Sequence, residues 1–179
     1  MKPSSRDIDI VAFSGTRVWS RIIRLRSQSR FSHVGIVCEI NGDDWVIEAL
    51  ERKGVRLVPL RVWYQWNGDV TAFRLKTPLG GDASYSWLQG RRREIINFAA
   101  QRIGQEYASP WQFFRSFGFA TRWLCRKIGV RKDLESDRFF CSELVAESLK
   151  SAGFWIGLDP SEMTPGDICG LPCLERVAI

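Results

Sequence analysis

The sequence predicts an α+β fold, and three observations carry that prediction. Runs of β-branched and aromatic residues separated by turn signals fill the first half. Helical periodicity fills the second. Between them Thr77–Ser84 (TPLGGDAS) reads as punctuation. With 179 residues, 45% apolar and 26% charged, the chain has enough material for one domain with a core. We therefore expect residues 1–179 to form a single domain.

Taken in order, Ile8–Phe13 (IDIVAF) is a short apolar run, read as a strand that Gly15 breaks. Arg17–Arg26 sets Val18, Ile22 and Leu25 at helical spacing with Arg17, Arg21 and Arg24 opposite, so a short basic helix is expected. Val34–Ile40 has the β-branched density of a strand. Asn41 to Asp44 is a turn signal, and Trp45–Leu50 is the returning strand of a hairpin. Val55–Leu60 alternates as a third strand of this series, with Pro59 marking an edge. Asn67-Gly68-Asp69 turns the chain into a further strand, Val70–Leu75.

In the second half, Leu88, Ile95, Phe98, Ala99 and Ile103 recur on a helix over Trp87–Ile103 that Gly104 ends. Trp111–Ile128 carries Phe113, Phe117, Ala120, Leu124 and Ile128 on one stripe and Arg115, Arg122 and Arg126 on another. Phe140–Ala152 points Leu144, Val145, Leu149 and Ala152 inward, with Gly153 just past its end. The remaining tail has three prolines and little periodicity.

Charge and rare residues bound the function. The net charge is +6, which suits an anionic partner surface or simply a solvated positive face. Most aromatics lie in apolar periodic patterns rather than among basic residues, and no nucleic-acid motif stands out. A single histidine excludes zinc sites that need two imidazoles. The five cysteines are odd in number and scattered, which favours reduced thiols. The N-terminal residues lack a basic segment followed by about 7–15 apolar residues, and no run nears the ~18 apolar residues of a membrane span. The expectation is a cytoplasmic protein, with peripheral membrane association left open.

Three side chains are candidates for chemistry. His33 opens the strand after Phe31-Ser32, where it is either a sheet-edge imidazole bonded to a carbonyl or a general base. Cys141 opens the helix that begins near Phe140. First-turn N–H groups and the helix dipole there favour a thiolate and can cradle an oxyanion, while a buried apolar cysteine is the other reading. Glu48 shares a strand face with Val46 and Leu50. The hairpin makes it a near-neighbour of His33 by register, as an orienter of the imidazole or as an exposed edge carboxylate. The remaining cysteines lack such a setting, and Cys169-x3-Cys173 without further ligands is weak as a metal site.

Ser-His-Val-Gly-Ile (32–36), Ile-Glu-Ala (47–49) before Gly54-Val55, and Phe140-Cys141-Ser142-Glu143-Leu144-Val145 together resemble a known family. It is the circularly permuted branch of NlpC-type papain-fold hydrolases, which includes YiiX-like proteins and, more distantly, lecithin:retinol acyltransferases. Asp9-Ile10-Val11 and Gly104-x-x-Tyr107 also fit, so the likeness spans residues 8–153. The resemblance implies a papain-like antiparallel sheet packed against the helix that bears the cysteine, with His preceding Cys. It implies Cys141 as nucleophile, His33 as base and Glu48 as orienting residue. No cofactor or metal is expected. It places Tyr107 near the site as a substrate-binding candidate. Ser32, beside the histidine, is a second substrate-binding candidate. Ala108 departs from the pattern, where an Asp often follows that tyrosine.

The chemistry expected of these residues is attack by the Cys141 thiolate on an amide or ester carbonyl, through a thioester acyl-enzyme. A cell-wall peptide or another peptide amide is the first substrate class. A lipid, as for an acyltransferase or phospholipase, is the alternative, and an inactive basic binding module is the third reading. Arg91-Arg92-Arg93 and the set Arg17, Arg21, Arg24, Arg26 and Arg30 could grip an anionic head group or an acidic peptide, or could be solvated faces. The sequence leaves the oligomeric state open.

Overall fold

The computed structural model describes residues 8–15, 29–65, 68–76, 85–107 and 138–178. In chain order these contain β1 (Ile10–Gly15), β2 (His33–Ile40), β3 (Asp43–Leu50), β4 (Gly54–Pro59), α1 (Leu60–Tyr64) and β5 (Gly68–Leu75). They continue with α2 (Tyr85–Ala100), β6 (Glu106–Tyr107), β7 (Arg138–Phe139), α3 (Cys141–Ser151), a 3-10 turn at Pro160–Glu162, α4 (Pro165–Cys169) and β8 (Leu174–Val177). Six strands form one antiparallel sheet in the order β4-β3-β2-β1-β5-β8. The fold is α+β, as the sequence predicts.

The sheet is covered on both faces, which explains the unbroken apolar run of β1. Ile10, Ala12, Val34, Ile36, Ile47 and Ala49 pack on one face with Ile95 and Ala99 of α2 and Leu144, Val145 and Leu149 of α3. Val11, Phe13, Val37, Val46 and Ala72 pack on the other with Leu60 and Trp63 of α1. Successive residues of each strand therefore enter different cores, and slipping the register by one residue would exchange them.

The β2–β3 hairpin turns on Asn41 and Gly42 alone, both with positive φ (54° and 85°). Two such residues suit a tight turn matched to the strand twist. Ile36 pairs with Ile47 and Cys38 with Trp45. Just before β1, in the middle of the sheet, buried Asp9 accepts a hydrogen bond from the Leu75 backbone N–H at 2.7 Å and is gripped by Arg92 Nε (2.6 Å) and Nη2 (3.0 Å). This ties the start of β1, the end of β5 and α2 together.

Some sequence expectations need correction. The helix over Trp87–Ile103 ends at Ala100, and Ile103 falls in the following turn, 45% exposed rather than on the buried stripe. Leu60 is not the end of a strand: Leu60–Tyr64 is helical, directly after Pro59. The tail is ordered by local caps, with Asp159 accepting from Ser161 N–H and Thr164 accepting from Asp167 N–H. It ends in β8, which pairs with β5. The basic helix expected over Arg17–Arg26 and the aromatic-basic segment 111–128 lie outside the described residues. Among those described, no helix is long and apolar enough to cross a membrane.

Candidate active site

Glu48 is wholly buried in a sheet, where an isolated carboxylate is strongly disfavoured. Two partners compensate. His33 Nε2 lies 2.7 Å from Glu48 Oε2. Arg56, directly across on β4, donates to Glu48 Oε1 through Nε (2.9 Å) and Nη2 (2.6 Å). An ionised carboxylate only accepts, so the imidazole proton sits on Nε2 and Nδ1 is the nitrogen turned away from Glu48.

The hairpin makes this meeting geometric. Extending the Ile36–Ile47 pairing by one residue sets Gly35 opposite Glu48. His33, two residues earlier on the same face, is then a diagonal neighbour of Glu48. Gly35 has no side chain to stand between them. The imidazole also stacks on the Trp63 indole, with ring centroids 5.1 Å apart and planes at 27°.

The other group acting on the imidazole is Cys141. Burial by itself would push His33 down. The Cys141 sulfur, as charge and as hydrogen-bond partner, and then the Glu48 carboxylate outweigh burial and hold the imidazole up at about 10. Glu48 moves the opposite way. Burial opposes its charge, but His33 and then Arg56 hold it below the ordinary carboxylate value. Arg56, Glu48 and His33 thus form a set of alternating sign around the buried carboxylate, in which each charge offsets its neighbour.

Cys141 is the first residue of α3 and so belongs to the first turn, whose N–H groups form the positive end of the helix. Glu143 accepts from the Phe140 backbone N–H at 3.3 Å, fixing the entry into the helix. Ser142 donates to the Met163 carbonyl at 2.6 Å, anchoring that first turn to the segment before α4.

Ser32 is buried, and both functions of its hydroxyl are committed to β1. It accepts from Gly15 N–H (3.1 Å) and donates to the Phe13 carbonyl (3.2 Å). It thus stitches β1 to the residue before His33. Tyr107 belongs to β6, which runs parallel to β7 and pairs Tyr107 with Phe139, two residues before Cys141. Its side chain lies outside the described residues. Arg91, Arg92 and Arg93 have separate partners: Glu94 for Arg91, Asp9 for Arg92 and the Gln89 carbonyl for Arg93. Arg30 donates to Thr71 Oγ1. Among the described residues no cluster of three or more His, Cys, Asp and Glu could hold a metal.

Two residues of the site, Arg56 and Trp63, lie beyond the three candidates the sequence offers. Arg56 has a signal there, because the register logic that brings Glu48 to His33 also sets Glu48 opposite Arg56. Trp63 has none, because nothing in the sequence marks α1.

No curated protein matches the chain. A crystal structure described as the metalloprotein yiiX from Escherichia coli O157:H7 superposes with a TM-score of 0.68 at 20% sequence identity, covering 99% of this chain and 98% of that one. At that identity the likeness is one of fold. Residues 9–157 match the family described as permuted papain-like amidase enzyme, YaeF/YiiX, C92 family. The match spans the buried His33 and Glu48 pair and the helix headed by Cys141, and the chain belongs to this permuted papain-like amidase family.

Proposed function

We propose that the chain is a cysteine amidase that works through a thioester on Cys141, with His33 as proton carrier and Glu48 as the group that orients it. The observation that carries this reading is the buried His33–Glu48 contact of 2.7 Å on an imidazole whose charge is also governed by Cys141. An imidazolium held between a sulfur and a carboxylate is the resting form of a thiolate–imidazolium pair.

In the first half-reaction the Cys141 sulfur attacks the amide carbonyl carbon, and the carbonyl π pair moves to oxygen. First-turn N–H groups of α3 are suited to receive that oxyanion. As the C–N bond breaks, the His33 proton passes to the leaving amine, leaving a thioester and a neutral imidazole. Acylation also removes the sulfur charge that held the imidazole up. Burial then counts for more, and His33 becomes a base suited to take a proton from water. The hydroxide adds to the thioester, the C–S bond breaks to return the Cys141 thiolate, the carboxylic acid leaves and gives its proton to solvent, and the ion pair is restored.

The substrate class proposed is a peptide amide, including cell-wall peptides. A panel of peptide amides, γ-glutamyl amides and acyl esters tests it. Amide turnover lost in Cys141→Ala and His33→Ala, and reduced about 10²–10⁴-fold in Glu48→Gln, is expected. Turnover of lipid esters alone would replace the amidase reading with an acyltransferase or lipase one. Turnover of none, with wild type and Cys141→Ala alike inert, would favour a binding module.

A further inference from the structure

The Glu48 contact fixes one atom of the His33 ring and leaves the ring plane to be set by something else. The hydrogen bond at Nε2 limits the ring at that atom, yet small coupled turns about χ1 and χ2 still tilt the imidazole plane and move Nδ1 relative to Cys141. Trp63 closes this freedom. Its indole is stacked on the imidazole at 5.1 Å and 27°. The indole is itself immobilised, since it is fully buried and meets the Phe13 ring edge-on at 6.3 Å and 77°. Phe13 in turn is the backbone partner of His33 in the β1–β2 ladder.

The sequence provides the space for this arrangement at one position. A Cβ on Gly35 would lie 3.0 Å from Trp63 Cζ2, 2.5 Å from Val46 Cγ1 and 3.2 Å from the Ile47 carbonyl oxygen. A side chain there would drive the indole away from the sheet. Gly35 sits between His33 and Val37 on the same strand face, so its missing side chain lets the indole settle against the histidine. An indole face also attracts a cation in preference to a neutral ring.

We infer that Trp63 is a positioning residue for the reaction: seated over Gly35, its indole face sets the plane of the His33 ring and directs Nδ1 to Cys141. The inference rests on the amidase reading for its catalytic consequence, but its geometric core does not need a substrate.

His33 is the only histidine in the chain, so its ring protons are identified in a proton NMR spectrum without assignment experiments. Wild type, Trp63→Phe, Trp63→Leu and Gly35→Ala are compared by NMR titration without substrate and by steady-state kinetics on a peptide amide. In wild type the ring protons should lie upfield of an ordinary imidazole, shielded by the indole. Trp63→Leu should abolish that shielding, lower the titration midpoint by about one pH unit and reduce kcat about tenfold with KM unchanged. Trp63→Phe should rescue part of each effect. Gly35→Ala should reproduce the loss with the indole still present. If Trp63→Leu does not fold, the other two variants carry the comparison. Unaltered ring shifts and midpoint in the folded variants would overturn the inference. So would a kcat loss equal in Trp63→Phe and Trp63→Leu, which is the mark of packing alone. Activity surviving in Cys141→Ala would instead remove the amidase reading and leave the NMR result standing.

Discussion

Arg56 holds Glu48 from the adjacent strand, with its Nε 2.9 Å and Nη2 2.6 Å from the Oε1 that His33 does not use. The wholly buried carboxylate is thus divided, one oxygen to the imidazole and one to the guanidinium. Arg56→Gln should leave Oε1 with a weaker neutral partner, at a cost of about 1–3 kcal/mol in stability. The acid limb of the kcat/KM profile should move to higher pH, because Glu48 loses one of the charges that keep it ionised. Arg56→Lys should recover part of this, since one ammonium replaces the charge but not the planar fork. Urea unfolding and a pH–rate profile measure the two effects. An unchanged acid limb in Arg56→Gln would contradict the assignment.

The paired shifts give stability a defined pH dependence. His33 is raised in the fold, so its contribution is complete below the ordinary imidazole value of 6.5 and disappears as pH rises through about 10. Glu48 is lowered, so its contribution is complete above the ordinary value of 4.5 and is lost as pH falls through its lower folded value. The difference in thermal stability between wild type and His33→Gln should therefore be largest at mildly acid pH and shrink steadily toward about pH 10. Scanning calorimetry across this range tests it, and a difference that grows with pH would have the wrong sign.

Among the described cysteines, Cys141 should react first with iodoacetamide near neutral pH. Burial pushes Cys38 up to about 11 and Cys169 up to about 12, and raises Cys173 despite nearby Lys76. Cys141 instead faces the His33 imidazolium. In a Cys125→Ser background, peptide mapping after brief alkylation should find the label on Cys141, and His33→Ala should slow it about tenfold or more. Even labelling of all four thiols would exclude an activated sulfur.

Arg92 and Asp9 form a largely buried pair with side chains only 12% and 10% exposed. Removing the cation leaves a carboxylate charge behind α2. Arg92→Ala should therefore destabilise the fold by about 3–5 kcal/mol, and replacing both residues with apolar ones should recover much of that. Denaturant unfolding of the single and double variants reads this directly.

The parts of the fold legible in the sequence are those whose cause is local. Val34–Ile40 and Trp45–Leu50 announce a hairpin because Asn41 and Gly42 tolerate positive φ between β-branched runs. That hairpin also brings His33 and Glu48 together, so half of the candidate site follows from counting residues back from a turn. Cys141 is legible because a helix begins at it. The short helix at Leu60–Tyr64 is not, because Leu-Arg-Val-Trp-Tyr has the composition of a strand and its conformation depends on packing Leu60 and Trp63 against the second sheet face. With that helix unseen, the stacking of Trp63 on His33 is invisible. β8 is four residues long and takes its identity from β5, its partner about a hundred positions earlier. The run Arg91-Arg92-Arg93 reads as one basic patch, yet helical geometry sends its members to three different partners.

On the amidase proposal an acyl group passes from the amide to the Cys141 sulfur, and trapping that thioester is the most direct measurement. The protein is mixed with an activated peptide amide, quenched in acid within the first turnover, and analysed by intact mass and peptide mapping. An acyl mass on the peptide containing Cys141, present in wild type, accumulating in variants slow in deacylation and missing in Cys141→Ala, is the expected result. Substrate turnover at the wild-type rate in Cys141→Ala, or an acyl group carried on any other residue, would contradict it.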